Sequence, residues 1–238
     1  MTVVRIANAT VEFPIYGGST SRSLKKVLVR AATGGIMARD AEERVVVRAL
    51  DNISLEINEG DQVGLVGHNG SGKSTLLRLI AGIYEPISGF VEVKGKITSM
   101  LDIFHGTDLE ATGLENIYMR GRVLGIHPSK MKAIVDEIVD FTGIGDFMHL
   151  PMRTYSSGMR MRLMFGVATC VKADIMLMDE WLSAGDASFL EKAKQRMEEM
   201  TSEARVLILA SHNIILVKER CNKIVYLEHG KIVNLEVA

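Results

Sequence analysis

The stretch from Gly67 to Ser74 carries the clearest chemistry in the sequence. It reads Gly-His-Asn-Gly-Ser-Gly-Lys-Ser, which fits the phosphate-binding pattern G-x-x-x-x-G-K-[ST]. Glycines let several backbone N–H groups point into one concavity, and a helix beginning near Lys73 directs its positive dipole end there. Lysine reaches the outer phosphates, and the Ser74 hydroxyl can ligate the Mg²⁺ ion that accompanies a nucleoside triphosphate. The pattern predicts a nucleotide site made by Gly67, His68, Asn69, Gly70, Ser71, Gly72, Lys73, Ser74 and Thr75.

Two further apolar runs end in residues that suit phosphate chemistry. Residues 174–180 form an apolar run that closes with Asp179 and Glu180, and residues 206–212 end in His212. We predict that Asp179 contributes to a magnesium site, that Glu180 activates a water molecule, and that His212 donates to the transferred phosphoryl group. Because ligands of open α/β sheets bind at the carboxyl ends of strands, these residues and the glycine-rich stretch are expected on one rim.

The segments around these residues predict the elements that position them. Residues 62–66 read as the strand before the glycine-rich stretch, and residues 74–81 as the helix after it, with Gly82 as its stop. Partial period-two alternation in residues 2–13 and 45–57 predicts an antiparallel sheet that precedes them. Residues 90–97 read as a strand or a hairpin, and residues 224–233 as a closing hairpin.

The periodicity changes to that of helices from residue 112 onward. Thr112 and Glu115 form a capping-box pattern that opens a helix to about Leu124, and Pro128 to Gly143 brackets a second helix. A basic amphipathic stretch at residues 22–31 is open to two interpretations: a solvated helix packed on the sheet, or a contact near an anionic membrane surface.

Composition limits the classes of function. The chain has 238 residues, with 28 basic and 29 acidic side chains and a formal net charge of −1, which disfavours an unassisted nucleic-acid binder. It has neither an apolar run near the roughly 20 residues that span a bilayer nor a signal-peptide core at its N-terminus, so a cytoplasmic location is expected. Cys170 and Cys221 are predicted to be unpaired thiols.

The order of these motifs resembles that of ABC transporter ATPases over essentially the whole chain. The Walker A motif lies at 67–74, a Tyr-Ser-Ser-Gly-Met segment at 155–159, the Walker B motif with Glu180 at 175–180, and His212 follows. The segment at 155–159 stands where the family has its signature, usually Leu-Ser-Gly-Gly-Gln. In this segment Tyr155, Ser157 and Met159 replace the usual Leu, Gly and Gln, and after the Walker B motif Trp181 and Gly185 replace the usual Pro and Leu. Together with the segment 112–117, these departures resemble the polysaccharide exporter branch, which serves O-antigen, capsule and teichoic-acid export.

The resemblance implies an α/β P-loop NTPase fold with a mostly parallel core sheet, an N-terminal antiparallel β-subdomain and an inserted α-helical subdomain. The whole chain, 1–238, is expected to form a single ATPase domain, with the core and β-subdomain at about 1–100 and 161–238 and the helical subdomain at about 103–160. It also implies a role for Ser156, Ser157 and Gly158, which would contact the γ-phosphate of ATP bound to a second copy of the chain.

Two site residues are less closely fixed by the resemblance. The family stacks adenine on an aromatic residue, for which Tyr16 is favoured here over Phe13 because it follows the predicted strand. The expected Q-loop at 98–111 contains no glutamine, and Asp102 is the nearest polar replacement as a magnesium-site residue.

The implied function is the binding and hydrolysis of ATP, with Mg²⁺, to power export of a lipid-linked polysaccharide such as O-antigen. The partners would be a second copy of the chain and integral membrane permease subunits, and the chain would act on the glycan only through these subunits. Its location would be peripheral, at the cytoplasmic face of the inner membrane. Export of a lipid or drug, or a non-transport ABC clamp on ribosomes or DNA, is the alternative. Some O-antigen exporter ATPases carry a further carbohydrate-binding domain, and the sequence leaves open whether one belongs here.

Overall fold

Two sheets and a group of helices make up the part of the chain that the computed structural model describes, residues 1–15, 36–39, 45–101, 103–180 and 187–237. The chain divides into two compact units. The first contains Met1–Ile97, Asp174–Trp181 and Arg205–Ala238, and the second contains Thr98–Ala173 and Leu182–Ala204. The predicted basic stretch at 22–31 lies outside the described residues.

A four-stranded antiparallel sheet contains the two strands predicted ahead of the glycine-rich stretch, together with β5 from after it. Its strand order is β2-β3-β1-β5, and β1 pairs with both β3 and β5. The second half of β3 alternates between buried and exposed positions from Ile53 to Asn58, because one face packs on the core. The bounds of the four strands are β1 Thr2–Pro14, β2 Ile36–Arg39, β3 Val45–Asn58 and β5 Ser88–Val93.

A six-stranded sheet with the order β10-β9-β4-β8-β7-β6 carries the other predicted strands. The strand β4 pairs in parallel with β8 and β9, and β7 pairs in parallel with β8. The apolar residues of β8 are all buried, as expected for a parallel sheet covered on both faces. The bounds are β4 Gln62–Val66, β6 Ile97–Ser99, β7 Ile175–Asp179, β8 Val206–Ala210, β9 Lys223–Glu228 and β10 Lys231–Val237, with helices α1 Lys73–Ile80 and α6 Ile214–Arg220.

The second unit consists mainly of helices around a core of its own. These are α2 Gly113–Val123, α3 Pro128–Thr142, α4 Ser157–Ala168 and α5 Ala187–Glu203, with short 3₁₀ turns at Gly145–His149 and Met152–Thr154. The predicted capping box is present, because Thr112 accepts from the Glu115 backbone while the Glu115 side chain accepts from that of Thr112. Gly143 ends α3 in the left-handed conformation, also as predicted.

Residues 90–97 differ from the prediction of one strand or a hairpin. The first part belongs to β5 in the four-stranded sheet, whereas Ile97 begins β6 in the six-stranded sheet. Gly95 lies between them with a φ of 135°, a backbone conformation that interrupts a strand, and the neighbouring Lys96 N–H donates to the Asp174 carboxylate at 2.9 Å. The chain therefore crosses from one sheet to the other at this glycine.

Among the described residues, none of the helices combines the length and apolarity that a bilayer crossing requires.

Candidate functional site

The glycine-rich stretch forms a tight loop between β4 and α1. Gly70 and Gly72 have φ values of 78° and 110°, which favour glycine. At Gly67 a Cβ atom would lie 2.3 Å from the carbonyl oxygen of Leu227 and 2.5 Å from the Ser71 hydroxyl. The Leu227 backbone and the Ser71 side chain therefore approach the loop too closely for any side chain at Gly67. Glycine-rich loops of this kind bind phosphate through their backbone N–H groups.

The Lys73 ammonium group lies across this loop. It donates hydrogen bonds to the carbonyl oxygens of Gly67 at 2.7 Å and His68 at 3.0 Å. Burial lowers the pKa of Lys73, and the nearby carboxylates of Asp179 and Glu180 act in the opposite direction. The cation is thus held at the loop, and the carboxylates at and just past the end of β7 are its electrostatic neighbours.

A hydrogen bond joins the first turn of α1 to the end of β7. The Ser74 hydroxyl donates to Asp179 Oδ2 at 2.5 Å. A hydroxyl and a carboxylate oxygen beside a phosphate loop are hard ligands, the kind that Mg²⁺ binds together with phosphate oxygens. The two side chains therefore fit the predicted magnesium site in their chemistry.

Glu180 and His212 are in direct contact. The imidazole Nδ1 donates to Glu180 Oε1 at 2.5 Å, and the side chains remain 72% and 54% exposed, for His212 and Glu180 respectively. Glu180 has a φ of 68°, which is unusual for a residue with a side chain, and its N–H donates to the Ala210 carbonyl at 2.8 Å. The site thus holds a solvent-accessible carboxylate and imidazole just past the ends of two adjacent parallel strands, β7 and β8.

The remaining loop residues occupy distinct environments. His68, Asn69 and Gly70 are exposed, and Thr75 is partly buried in the first turn of α1. Ser71 is fully buried, and its hydroxyl has no hydrogen-bond partner. The sequence predicted Ser71 as part of the phosphate site but gave no sign that its hydroxyl would be buried, because burial depends on the folded chain.

Ser156, Ser157 and Gly158 lie in the second unit, at the N-terminus of α4. Ser156 is the N-cap residue, and its hydroxyl accepts from the Met159 N–H at 3.1 Å. The preceding Tyr155 is buried and donates from its hydroxyl to the Phe147 carbonyl at 2.6 Å. The free N–H groups of this first turn form the kind of end that binds anions.

Tyr16 and Asp102 lie outside the described residues, as does the stretch 181–186 that contains Trp181 and Gly185. Phe13 is at the end of β1, where its ring meets that of Tyr84 edge to face with centroids 5.1 Å apart. Tyr84 was not singled out from the sequence. An isolated aromatic residue in the turn after a helix gives no signal that it will meet another ring across the fold.

The ABC transporter family model matches residues 50–183, more than half of the chain. The chain belongs to the ABC transporter family. The matched range includes the phosphate loop, Ser156–Gly158, Asp179 and Glu180. It confirms the family resemblance predicted from the motif order, and with it the ATP-binding cassette fold.

Three curated relatives of this ABC family member are export components. The chain is 47% identical over 232 residues to the O-antigen export system ATP-binding protein RfbE of Yersinia enterocolitica, covering 98% of this chain and 97% of that one. It is 40% identical to the O-antigen export system ATP-binding protein RfbB of Myxococcus xanthus and 44% identical to the teichoic acids export ATP-binding protein TagH of Bacillus anthracis. These matches cover 87% and 77% of this chain but only 47% and 33% of those relatives. The predicted likeness to the polysaccharide exporter branch is confirmed.

Solved ABC structures share the fold at low sequence identity. A dimeric ATP-binding cassette in a post-hydrolysis state with ADP and Pi superposes with a TM-score of 0.70 at 20% identity, covering 98% of each chain. The dimeric structure of a bacterial ABC transporter cassette gives a TM-score of 0.68, also at 20% identity and 98% of each chain. The predicted fold class, with its antiparallel N-terminal sheet and mostly parallel core sheet, is confirmed.

Proposed function

We propose that this ABC family member is the ATP-binding and ATP-hydrolysing subunit that powers export of a polysaccharide, such as lipid-linked O-antigen, across the inner membrane. The contact between Glu180 and His212 beside the bond from Ser74 to Asp179 carries the enzymatic part. The near full-length relative from Yersinia enterocolitica, whose name assigns it to O-antigen export, supports the substrate class.

The residues Gly67–Thr75 would bind the phosphates of ATP. Their backbone N–H groups point at the anion, and Lys73 adds a positive charge that interacts with the outer phosphates. Ser74 and Asp179 would hold Mg²⁺, which when bound neutralises negative charge on the phosphate oxygens. We assign adenine stacking to Tyr16, with Phe13 as the alternative, and a further place near the metal to Asp102.

Hydrolysis would proceed through Glu180. The carboxylate accepts a proton from water as the water oxygen bonds to the γ-phosphorus and the bond between that phosphorus and the β,γ-bridging oxygen breaks. His212 holds the carboxylate in position through Nδ1 and stabilises the transferred phosphoryl group. The left-handed backbone of Glu180 turns the chain at the strand end, where its side chain meets His212.

A second copy of the chain would complete each site with its Ser156–Gly158 segment. A helix N-terminus with free N–H groups and a serine N-cap suits the γ-phosphate of ATP bound by the other copy. Because ATP would contact both copies only in the closed dimer, its binding shifts the equilibrium toward closure, and hydrolysis reverses it. The dimeric cassettes with the same fold are consistent with this arrangement.

The helical unit offers a surface for the membrane permease. A groove of about 560 Å³ is lined by Asp108, Glu110, Ala111, Glu115, Tyr118, Met119 and Arg122. Its lining mixes carboxylates with exposed apolar side chains of α2, a composition that suits a short amphipathic segment of a membrane protein. We assign the chain a peripheral place at the cytoplasmic face of the inner membrane because the permease partner would be embedded in that membrane.

Genetic complementation tests the proposal as a whole. In cells that lack the gene, we expect surface polysaccharide to be lost and lipid-linked glycan to accumulate inside, with rescue by the wild-type chain. Lys73→Ala should fail to rescue because it removes the phosphate-binding cation. Lys94→Ala, at an exposed residue just after β5 that pairs with Glu92, should rescue fully. Unchanged surface polysaccharide in the deletion strain would contradict the substrate class. Undiminished ATP affinity of purified Lys73→Ala would contradict the site.

A further inference from the structure

Two histidine rings from separate parts of the chain meet at the rim of the phosphate loop. His68 is the second residue of the loop, and His229 lies in the turn between β9 and β10. Their ring centroids are 5.1 Å apart, and the ring planes are inclined by 59°. Both residues are exposed, so solvent ions can reach the pair. Nothing in the proposed hydrolysis uses this pair of rings.

The backbones beneath the two rings are fastened to each other. The Gly230 N–H donates to the Ser71 carbonyl at 2.9 Å, and the Gly230 carbonyl accepts from the Asp51 N–H at 2.8 Å. His229 itself has a φ of 47°, which completes a sharp turn against the loop. The Ser71–Gly230 hydrogen bond therefore holds the phosphate loop and this turn next to each other, so the two histidines project from neighbouring backbone segments.

The hydrogen bond of His68 leaves one ring nitrogen available. Its Nδ1 lies 2.8 Å from the carbonyl oxygen of Asn69. Because a carbonyl oxygen only accepts hydrogen bonds, Nδ1 carries the hydrogen, and in the neutral ring the lone pair is on Nε2. Histidine ligands of metals are oriented in this way, with one ring N–H donated to a carbonyl or carboxylate and the other nitrogen on the metal.

The ring separation agrees with the geometry of a shared metal ion. A tetrahedral zinc ion binds imidazole nitrogen at about 2.0–2.1 Å, which places the centroids of two ligand rings roughly 5 Å apart. The observed separation of His68 and His229 is 5.1 Å. Inclined planes also suit two ligands of one ion, since a flat stack would direct the ring nitrogens past each other.

We propose that His68 and His229 form a binding site for a divalent transition-metal ion such as Zn²⁺. Two imidazole ligands select Zn²⁺, Ni²⁺ or Cu²⁺ over Mg²⁺, which prefers oxygen ligands. The site is therefore chemically distinct from the pair formed by Ser74 and Asp179. Water completes the coordination, and a bound ion links the phosphate loop to the turn between β9 and β10.

Calorimetric titration of untagged, nucleotide-free protein with Zn²⁺ tests the site. We expect one ion per chain in the wild type. His68→Gln and His229→Asn should each weaken the affinity by at least about tenfold, or about 1.4 kcal/mol. Asparagine is used at position 229 because it tolerates a positive φ. The matched control is His149→Gln, an exposed histidine of the second unit, which should bind Zn²⁺ as the wild type does.

Three outcomes would overturn the proposal. These are unchanged affinity in both single variants, an equal loss in His149→Gln, and displacement of Zn²⁺ by millimolar Mg²⁺. A tetrahedral Co²⁺ absorption spectrum that is present in the wild type and absent in His229→Asn would support it independently of the calorimetry. Thermal unfolding of each variant without metal separates a lost ligand from a lost fold.

Discussion

Ser74 and Asp179 are joined by a 2.5 Å hydrogen bond although 105 positions separate them in the sequence. Ser74 belongs to the first turn of α1, and Asp179 is the last residue of β7. The bond connects α1, the helix that follows the phosphate loop, to β7, the strand that Glu180 directly follows. Both proposed metal-binding oxygens are therefore adjacent before any ion binds, which reduces the cost of organising the site.

Glu180→Gln should separate ATP binding from hydrolysis. The amide keeps the size of the side chain but cannot accept the water proton, so we expect turnover to fall about 100-fold or more. ATP and Mg²⁺ should then hold the variant as a dimer, measured by light scattering together with phosphate release. Glu228→Gln, an exposed carboxylate on β9, is the control and should hydrolyse ATP normally. A Glu180→Gln protein that stays monomeric with saturating ATP would argue against a shared site.

Replacement of Glu180 by glycine should be less destabilising than replacement by alanine. Its φ of 68° is left-handed, a conformation that costs a residue with a Cβ about 1 kcal/mol. Urea unfolding should therefore give Glu180→Gly a free energy of unfolding about 1 kcal/mol above that of Glu180→Ala. At Glu191, an exposed position of α5, the order should reverse because glycine disfavours helix. If alanine were the more stable replacement at position 180 as well, the backbone there would have changed on mutation, and the prediction would be wrong.

Gly64→Ala should be destabilising, and Val217→Ala should relieve the effect. A Cβ atom added to Gly64 on β4 would lie 2.2 Å from Cγ1 of Val217, a fully buried residue of α6. Overpacking of this kind costs about 1–3 kcal/mol. Removing the valine methyl groups makes room, so a double-mutant cycle should show a favourable coupling between the two changes. Gly64→Ala combined with Val135→Ala in the second unit should be additive, and coupling there would contradict the local explanation.

Cys221 should make stability depend on pH in alkaline solution. Burial raises its pKa to about 11 from an ordinary 9.0, since the thiolate is disfavoured beneath β4. The protonated thiol is thus compatible with the fold below pH 9, and the unfolded chain ionises first as the pH rises. We expect a loss of about 2–3 kcal/mol between pH 9 and 11, measured by urea unfolding. Cys221→Ala should lack this component, and an identical pH dependence in both proteins would exclude it.

Patterns of nearby residues predicted much of the fold. The capping box of Thr112 and Glu115, the stop at Gly143 and the closing hairpin at 224–233 depend on residues close in sequence, and all are present. The order of phosphate loop, acidic strand end and His212 was also sufficient to identify the family. The sequence patterns also placed Lys73 in the loop after β4 and Glu180 and His212 just past the ends of β7 and β8, where the structure has them.

Other features depend on contacts that no local pattern encodes. Residues 90–97 are divided between two sheets at Gly95. The residues on both sides of this glycine have similar strand propensity, so the sequence did not show that the chain changes sheets there. The left-handed φ of Glu180 runs against the preference of that residue type. The meetings of Phe13 with Tyr84 and of His68 with His229 join distant segments, so only the folded chain brings them together.

The end of β9 and the turn that follows it support the phosphate loop from a part of the chain that is synthesised much later. Ser71 receives a hydrogen bond from Gly230, and Gly67 packs under the Leu227 carbonyl. The phosphate loop is thus translated early but obtains these supports only after residues 223–230 have left the ribosome. A nascent chain that ends before residue 223 therefore contains every Walker A residue but neither of these two contacts.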